Sequence, residues 1–301
     1  MSLTTQPRRR RFSRVAGVGL AGAIATALLP LSTSSAAPPA TPSVAKPCAV
    51  VSSAHYTHVV WIMLENEGYG VMGSSSAPYL NSLSARCGLA TNDVATSHPS
   101  LPNYIALTSG SPQGITDDNE PSSHPLHVAS IFSQLSSNWR TYAESMPVAC
   151  DRVTSGTYAA RHNPAVYYTN LPTCARNDVA LRTPLNLSAA FTMIVPNVCN
   201  DMHDCSVATG DAWLRKYVAL IVTSSQYRSK SLALFITFDE NTQASSNQIP
   251  TIVVAPSVPA GVRVATRFTH YSLLATTETL LHLPLLGGAR SAASMIGPFH
   301  L

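Results

Sequence analysis

Acidic and amide side chains stand directly after two apolar runs: Glu65 and Asn66 follow Val59–Leu64, and Asp239, Glu240 and Asn241 follow Leu232–Phe238. Adjacent acids at the end of a buried strand are costly unless a cation offsets their repulsion. Carboxylate and amide oxygens suit a hard ion such as magnesium, calcium or manganese. Taken singly, such acids could equally cap the next segment or pair with arginine. A second cluster, Ser97–Tyr104, is a polar loop leading into a helical pattern that reaches Thr108 and Gly110. A hydroxyl at a helix N-terminus gains from the dipole and from unpaired N–H groups, which also attract phosphate. Ser100 is therefore placed as a nucleophile, with ordinary capping by Ser97 or Ser100 and Pro102 in the first turn as the competing reading.

The third cluster is Asn197, Asn200, Asp201, Met202, His203 and Asp204, bracketed by Cys199 and Cys205. Two acids and a histidine in one tight loop suggest contact with metal or phosphate; a solvated loop held by a disulfide would look the same. His270 precedes the last amphipathic pattern and is a weaker candidate. Glu144 ends a short strand pattern at Thr141–Ala143, and Arg161, His162 and Asn163 precede Pro164 in an aromatic-rich segment, so both could contact substrate. Asp117–Glu120 lacks the glycine and spaced acids of a calcium loop and reads as solvated surface.

These clusters need a scaffold. Val59–Leu64, Phe191–Val195, Leu232–Phe238 and Thr251–Ala255 are short apolar runs with the length of strands buried on both faces. Between them, Pro78–Ala85, Asn103–Thr108, Val128–Leu135, Ala212–Val222 and Ser272–Leu281 repeat apolar residues at helical steps. Such alternation predicts an α/β fold, a mostly parallel sheet between helix layers, with ligands beyond the carboxyl ends of the strands. The clusters lie at those ends.

The chain has 301 residues, 45% hydrophobic and 11% charged, enough to bury a large core and unlike a disordered or coiled-coil composition. The net charge of +4 is misleading, because Arg8–Arg11 and Arg14 sit in the first 36 residues, which contain no acid. Removing those five from the 19 basic residues leaves fourteen against 15 acids, which argues against a nucleic-acid surface. Arg8–Arg11, Phe12 and Arg14 precede an apolar run from Val15 to Leu31 that ends in small residues, the layout of an export signal. The arginine pair is twin-arginine-like, with a Sec signal as the alternative. The reading is a signal peptide over 1–36, a Pro/Ala-rich leader over 37–54, one catalytic domain over 55–301, a secreted product and no stable membrane anchor after cleavage. The six cysteines fit an oxidising compartment. They allow fifteen pairings; closeness favours Cys48–Cys87, Cys150–Cys174 and Cys199–Cys205.

In order and spacing, His58–Asn66, Ser97–Tyr104, Asn200–Asp204, Gly210–Trp213 and Thr237–Glu240 resemble the bacterial phosphoesterase family of secreted acid phosphatases and phospholipases C, related to the alkaline phosphatase superfamily. The resemblance is nearest to secreted acid phosphatases of about this length, some of which act on phosphoinositides. It implies an alkaline-phosphatase-like fold with Glu65, Asn66, Asp239 and Glu240 around one divalent ion and Ser100 as the nucleophile. By the same comparison His98, His203 and His270 would hold phosphate oxygens or protonate the leaving alcohol. Asp201 would orient a histidine or join the metal site, and Asn103, His162 and Glu144 would contact substrate. Related two-zinc enzymes have an Asp-His pair where this chain has Asp239-Glu240, so the expectation is a single magnesium, calcium or manganese ion, with zinc as the alternative.

The expected activity is metal-dependent hydrolysis of phosphate monoesters through a phosphoserine, on small phosphate esters or phosphoinositide headgroups, at acidic or near-neutral pH if the histidines act as cations. A phospholipase C-type phosphodiesterase is the alternative. A serine esterase would want a Gly-x-Ser-x-Gly turn, which is absent. A binding protein without turnover would leave the strand-end clusters as coincidence.

Overall fold

A computed structural model describes residues 47–49, 54–242 and 246–301; the export signal and most of the leader lie outside them. Nine strands form one sheet: β1 (His58–Leu64), β2 (Gly88–Val94), β3 (Trp139–Ala143), β4 (Asp178–Ala180), β5 (Phe191–Val195), β6 (Leu232–Phe238), β7 (Gln248–Val254), β8 (Arg263–Val264) and β9 (Phe268–Thr269). Their order is β4-β3-β5-β1-β6-β7-β2-β8, with β9 also paired to β2. The apolar runs of β1, β5 and β6 take the centre because each can bury side chains on both faces, and β1 pairs in parallel with β5 and β6.

Only β7 runs against the rest. The link from β6 to β7 is too short for a crossover helix, so the chain reverses as an antiparallel pair. Pro250, which cannot donate to a ladder, sits where the β2–β7 register shifts between Ala90 and Asp93, so a bulge absorbs the missing donor.

Four longer helices flank the sheet: α1 (Pro78–Arg86), α2 (Ser100–Ser109), α3 (Val207–Val222) and α4 (His270–Leu280). They pack in pairs, α1 on α3 and α2 on α4. Ala77 cannot cap α1, and the buried Asp211 of α3 takes over, accepting from Tyr79 N at 2.9 Å and Leu80 N at 2.8 Å. All ten residues of α2 are buried. Its far end closes on Gly110 (φ 76°), where an added Cβ would meet Leu286 O at 2.4 Å, and Gly288 N donates to Gly110 O at 2.7 Å. The apolar pattern at Val128–Leu135 yields only a single turn, Ile131–Gln134.

Disulfides join Cys48 to Cys87, Cys150 to Cys174 and Cys199 to Cys205. The first ties a residue of the Pro/Ala-rich leader to the folded body. Cys48 is buried and Ala49 N donates to Pro256 O, so Pro47–Ala49 belong to the folded body rather than to a loose segment reaching residue 54. Among the described residues, no helix is long and apolar enough to cross a membrane.

Candidate active site

The carboxyl ends of β1, β2, β5 and β6 converge on one cluster. Glu65 follows β1 and is fully buried, as is Asp239 after β6. Asn66, in the left-handed region at φ 59°, turns the chain so that its N–H donates to Asp239 Oδ1 at 3.0 Å. Glu65 N donates to Asp201 O at 2.9 Å, tying the loop after β5 to the same point. Ser100 opens α2, and its hydroxyl donates to Glu65 Oε2 at 3.0 Å. Tyr104, one helical turn later on the same face, donates to Glu65 Oε1. His162 lies between acids, with Nδ1 3.2 Å from Asp201 Oδ2 and Nε2 3.4 Å from Glu65 Oε1, and its ring stacks on Tyr104. His203 sits beside it, the two ring centroids 5.5 Å apart.

Burial sets the electrostatics. It drives the Glu65 carboxyl well above the ordinary carboxylate range, and the charges of Asp239 and Asp201 push the same way. Burial raises Asp239, raises Asp201 to about 7, and raises Glu240 to about 8 with help from Asp239 and Asp118. The same desolvation lowers His162 to about 3, so its imidazole is neutral. These acids resist sharing negative charge, the situation a bound cation relieves.

A divalent cation fits the side chains present. Glu65, His162 and His203 each offer a donor atom, all within 4.8 Å of one another. The buried Asp239 Oδ2 and His162 Nε2 make no hydrogen bond, leaving two orphaned polar atoms in the cluster. The cluster is a divalent-cation site whose donor set mixes carboxylate and imidazole, broader than the oxygen set read from sequence. Cys150, Cys174 and Asp178 also lie close together, but both sulfurs are spent in their disulfide.

The structure brings Glu65, Ser100, Asp201, His203 and Asp239 together with His162. Glu240 is buried beside them and pairs with His98, Nδ1 to Oε2 at 2.6 Å. Three further expected residues make hydrogen bonds to the loops around the cluster. Asn103 spends its amide on the nucleophile loop, accepting from Ser97 N and donating to Ser97 O and Pro99 O. Glu144 accepts from Asn197 N, Asn200 Nδ2 and Trp213 Nε1, holding the loop of Asp201 against α3. His270 is buried, its Nε2 3.1 Å from Phe238 O and its Nδ1 3.4 Å from Thr96 Oγ1, a strut between the β6 end and the loop after β2. Polar groups buried under the cluster must find partners, and these three supply them.

Sequence reasoning missed Tyr104 and Asp118. Tyr104 stands four residues after Ser100 on a helix, a signal for a shared face that was available. Asp117–Glu120 is not simply solvated surface. Asp118 Oδ1 accepts from Leu101 N at 2.9 Å, so the amide expected to await phosphate at the start of α2 already has a carboxylate. Its Oδ2 lies 3.9 Å from Arg161 Nε, and Arg161 reaches His203 Nε2 at 3.3 Å.

The Gly210–Trp213 segment also acts by placement. A Cβ at Gly210 would fall 2.4 Å from Met202 Cγ and 2.9 Å from Asn200 O, so only glycine lets α3 lie against the loop that carries Asp201. An open hollow of about 330 Å³ is lined by Glu67–Val71, Asn241, Thr242, Ser246 and Gln248.

The phosphoesterase family profile matches residues 60–284. The chain is 35% identical over 245 residues to the phosphatidylinositol-3-phosphatase of Mycobacterium tuberculosis, covering 79% of this chain and 81% of that one. It is 27% identical to an acid phosphatase of Aspergillus fumigatus over 80% of this chain, but spans only 58% of that relative. Among solved structures, an alkaline phosphatase superfamily protein from Vibrio parahaemolyticus superposes with a TM-score of 0.55 at 11% identity, over 86% of this chain and 76% of that one. The lipoteichoic acid synthase LtaP of Listeria monocytogenes superposes with a TM-score of 0.55 at 11% identity, over 82% and 80% of the two chains. The chain belongs to the phosphoesterase family and is a phosphoric ester hydrolase with an alkaline-phosphatase-like fold.

Proposed function

We propose that the chain hydrolyses phosphate monoesters with Ser100 as the nucleophile, outside the cytoplasm, and that phosphoinositide headgroups are among its substrates. The observation that carries the reading is the 3.0 Å hydrogen bond from Ser100 Oγ to buried Glu65 Oε2. It fixes the hydroxyl at the start of α2 and offers its hydrogen an acceptor. The phosphatase names of the curated relatives support monoesters, and three disulfides support an oxidising compartment.

Glu65, His162, His203 and Asp239 are the residues that would hold a divalent ion. When bound, the ion supplies charge neutralisation on phosphate oxygens and a lower pKa for the hydroxyl beside it. Ser100 Oγ attacks phosphorus in line, its proton passes to Glu65 Oε2, and the bond to the leaving oxygen breaks as that oxygen takes a proton from solvent at the rim. Water then attacks the phosphoserine, losing a proton to solvent, while Glu65 returns its proton to Ser100 Oγ and phosphate leaves. Arg161 brings positive charge to the rim, and Asp201 orients His162, whose imidazole burial keeps neutral. His203 and His98, 27% and 35% exposed, stand where a leaving alcohol enters solvent.

A phosphodiesterase reading rests on that same exposure, since half-open histidines at the rim leave room for a second ester group. Phosphate release from p-nitrophenyl phosphate and from its bis ester separates the two. The decisive measurement is monoester turnover by wild type and Ser100→Ala, with chelator and then metal add-back. Loss in Ser100→Ala and metal-restored turnover in wild type are expected; full activity in Ser100→Ala overturns the nucleophile.

A further inference from the structure

We propose that a hollow between α1 and α3 is a second ligand site, and that it binds a free single-chain amphiphile with an anionic head, of the fatty-acid kind. The hollow shares no residue with the carboxylate cluster, so it stands apart from the phosphate-ester reading. Two facing stripes build it. Tyr79, Ser82 and Arg86 follow one another at steps of three and four residues on α1, and Arg215, Val218 and Val222 do the same on α3. Each set therefore runs along one helix face, into the seam where the two helices pack. The Cys48–Cys87 disulfide ties the segment of Pro47, which also lines the hollow, to the end of α1 that carries Arg86.

Charge sets the head of the ligand. Arg215 Cζ lies 5.5 Å from the centre of the Tyr79 ring, and the charges of Arg86 and Arg215 both act on the Tyr79 phenol. Burial outweighs them and pushes that phenol up to about 12, so it stays a neutral donor beside two cations. No acid lines the hollow, and among the described residues neither arginine makes an ion pair. Asp211, one turn before Arg215 on α3, is buried and spent on Tyr79 N and Leu80 N. Arg86 commits only its Nε, to Ser82 O at 3.1 Å, which leaves its outer nitrogens for a ligand. Two guanidiniums without a counter-ion in a cleft draw an anion that can accept from both.

The walls set the rest of the molecule. Pro47, Val218 and Val222 give the hollow an apolar side, and its volume of about 370 Å³ is near the lower end of ligand sites, enough for one chain. Contact with a bilayer would need apolar side chains that stand out from the surface. The large exposed ones among the described residues, Val148, Val153 and Leu220, do not line the hollow. A free molecule is therefore the occupant.

Calorimetry with octanesulfonate, which has no ester to hydrolyse, tests the site in the folded, disulfide-bonded protein. Wild type is expected to bind it, and to bind butanesulfonate severalfold more weakly because fewer methylenes leave water. Arg86→Gln and Arg215→Gln should each weaken the octanesulfonate Kd about tenfold, as the loss of one charge-assisted partner does, and the double variant should show no binding. Turnover of p-nitrophenyl phosphate and the melting temperature should stay at wild-type values in both single variants. Two comparisons need wild type alone: sulfate bound as tightly as octanesulfonate, or octyltrimethylammonium bound as tightly, overturns the anionic amphiphile. An unchanged Kd in the double variant overturns the site. Phosphatidylglycerol vesicles that bind the protein when octanesulfonate does not overturn the free ligand in favour of a membrane contact.

Discussion

Ser100 and Glu65, 35 residues apart in the chain, share a hydrogen bond in which a helix-start hydroxyl donates to a fully buried carboxylate. Glu65 also receives the hydroxyl of Tyr104 and lies against His162, so one carboxylate gathers two hydroxyls and an imidazole around it. Perturbing any of its partners should register in the chemistry.

Tyr104→Phe removes a donor from buried Glu65 while keeping the ring that stacks on His162. Leaving a buried acceptor short of a partner costs about 1–3 kcal/mol. The expected result is a lower melting temperature and a kcat reduced about tenfold. Thermal melts and steady-state kinetics check this; an unchanged kcat would mean that Glu65 does not govern the nucleophile.

Metal affinity should rise with pH. Glu65 and Asp239 are raised and Glu240 sits at about 8, all chiefly by burial, so protons compete with the ion for these oxygens. Manganese titrations between about pH 5 and pH 8 should show tightening on the alkaline side, with proton release on binding. A flat profile would place the ion away from these carboxylates.

Stability should move the other way. Asp93 is raised to about 6, and Asp178 and Glu278 to about 7, each mainly by burial and each outside the cation cluster. A carboxyl whose folded pKa exceeds its unfolded value binds more protons when folded. Its stabilisation is complete below about pH 4 and is lost as pH climbs through the folded pKa. Melting should therefore be higher near about pH 5 than about pH 8. Asp93→Asn should flatten the slope by at most about 3 kcal/mol.

Gly210→Ala should drive a methyl into Met202 and the Asn200 carbonyl. Overpacking of this kind costs about 1–3 kcal/mol. Because the displaced loop carries Asp201 and His203, activity should fall more than the stability loss explains. Met202→Ala in the same chain frees one of the two obstructions and should restore part of both, which a double-mutant cycle measures.

The central strands and the strand-end acids were legible because Val, Ile and Phe runs and charge clusters are local signals. β2 was not: Gly88–Val94 contains glycine, asparagine and aspartate and is a strand only because neighbours pair with it on both sides. The reversed direction of β7 lies in the short link before it rather than in its own residues. In the candidate site, the gathering of Ser100, Asp201, His203, Glu65 and Asp239 was legible because each stands at or just beyond a strand end. His162 was read as a substrate contact, yet it sits at the middle of the cluster because the short helical turns around residues 160–167 carry it under α2, a long-range placement that spacing does not encode. Glu144, His270 and Asn103 also make hydrogen bonds to neighbouring loops, partners that local sequence does not reveal.

The backbone clasp at Gly110 links the rear of α2 to residues 286–288, near the end of the polypeptide. Trimming the chain just before that clasp would strip no group from the buried cluster, yet it would unseat the helix on which the Ser100 hydroxyl is mounted. The C-terminal stretch thus sets the aim of a hydroxyl that it never touches.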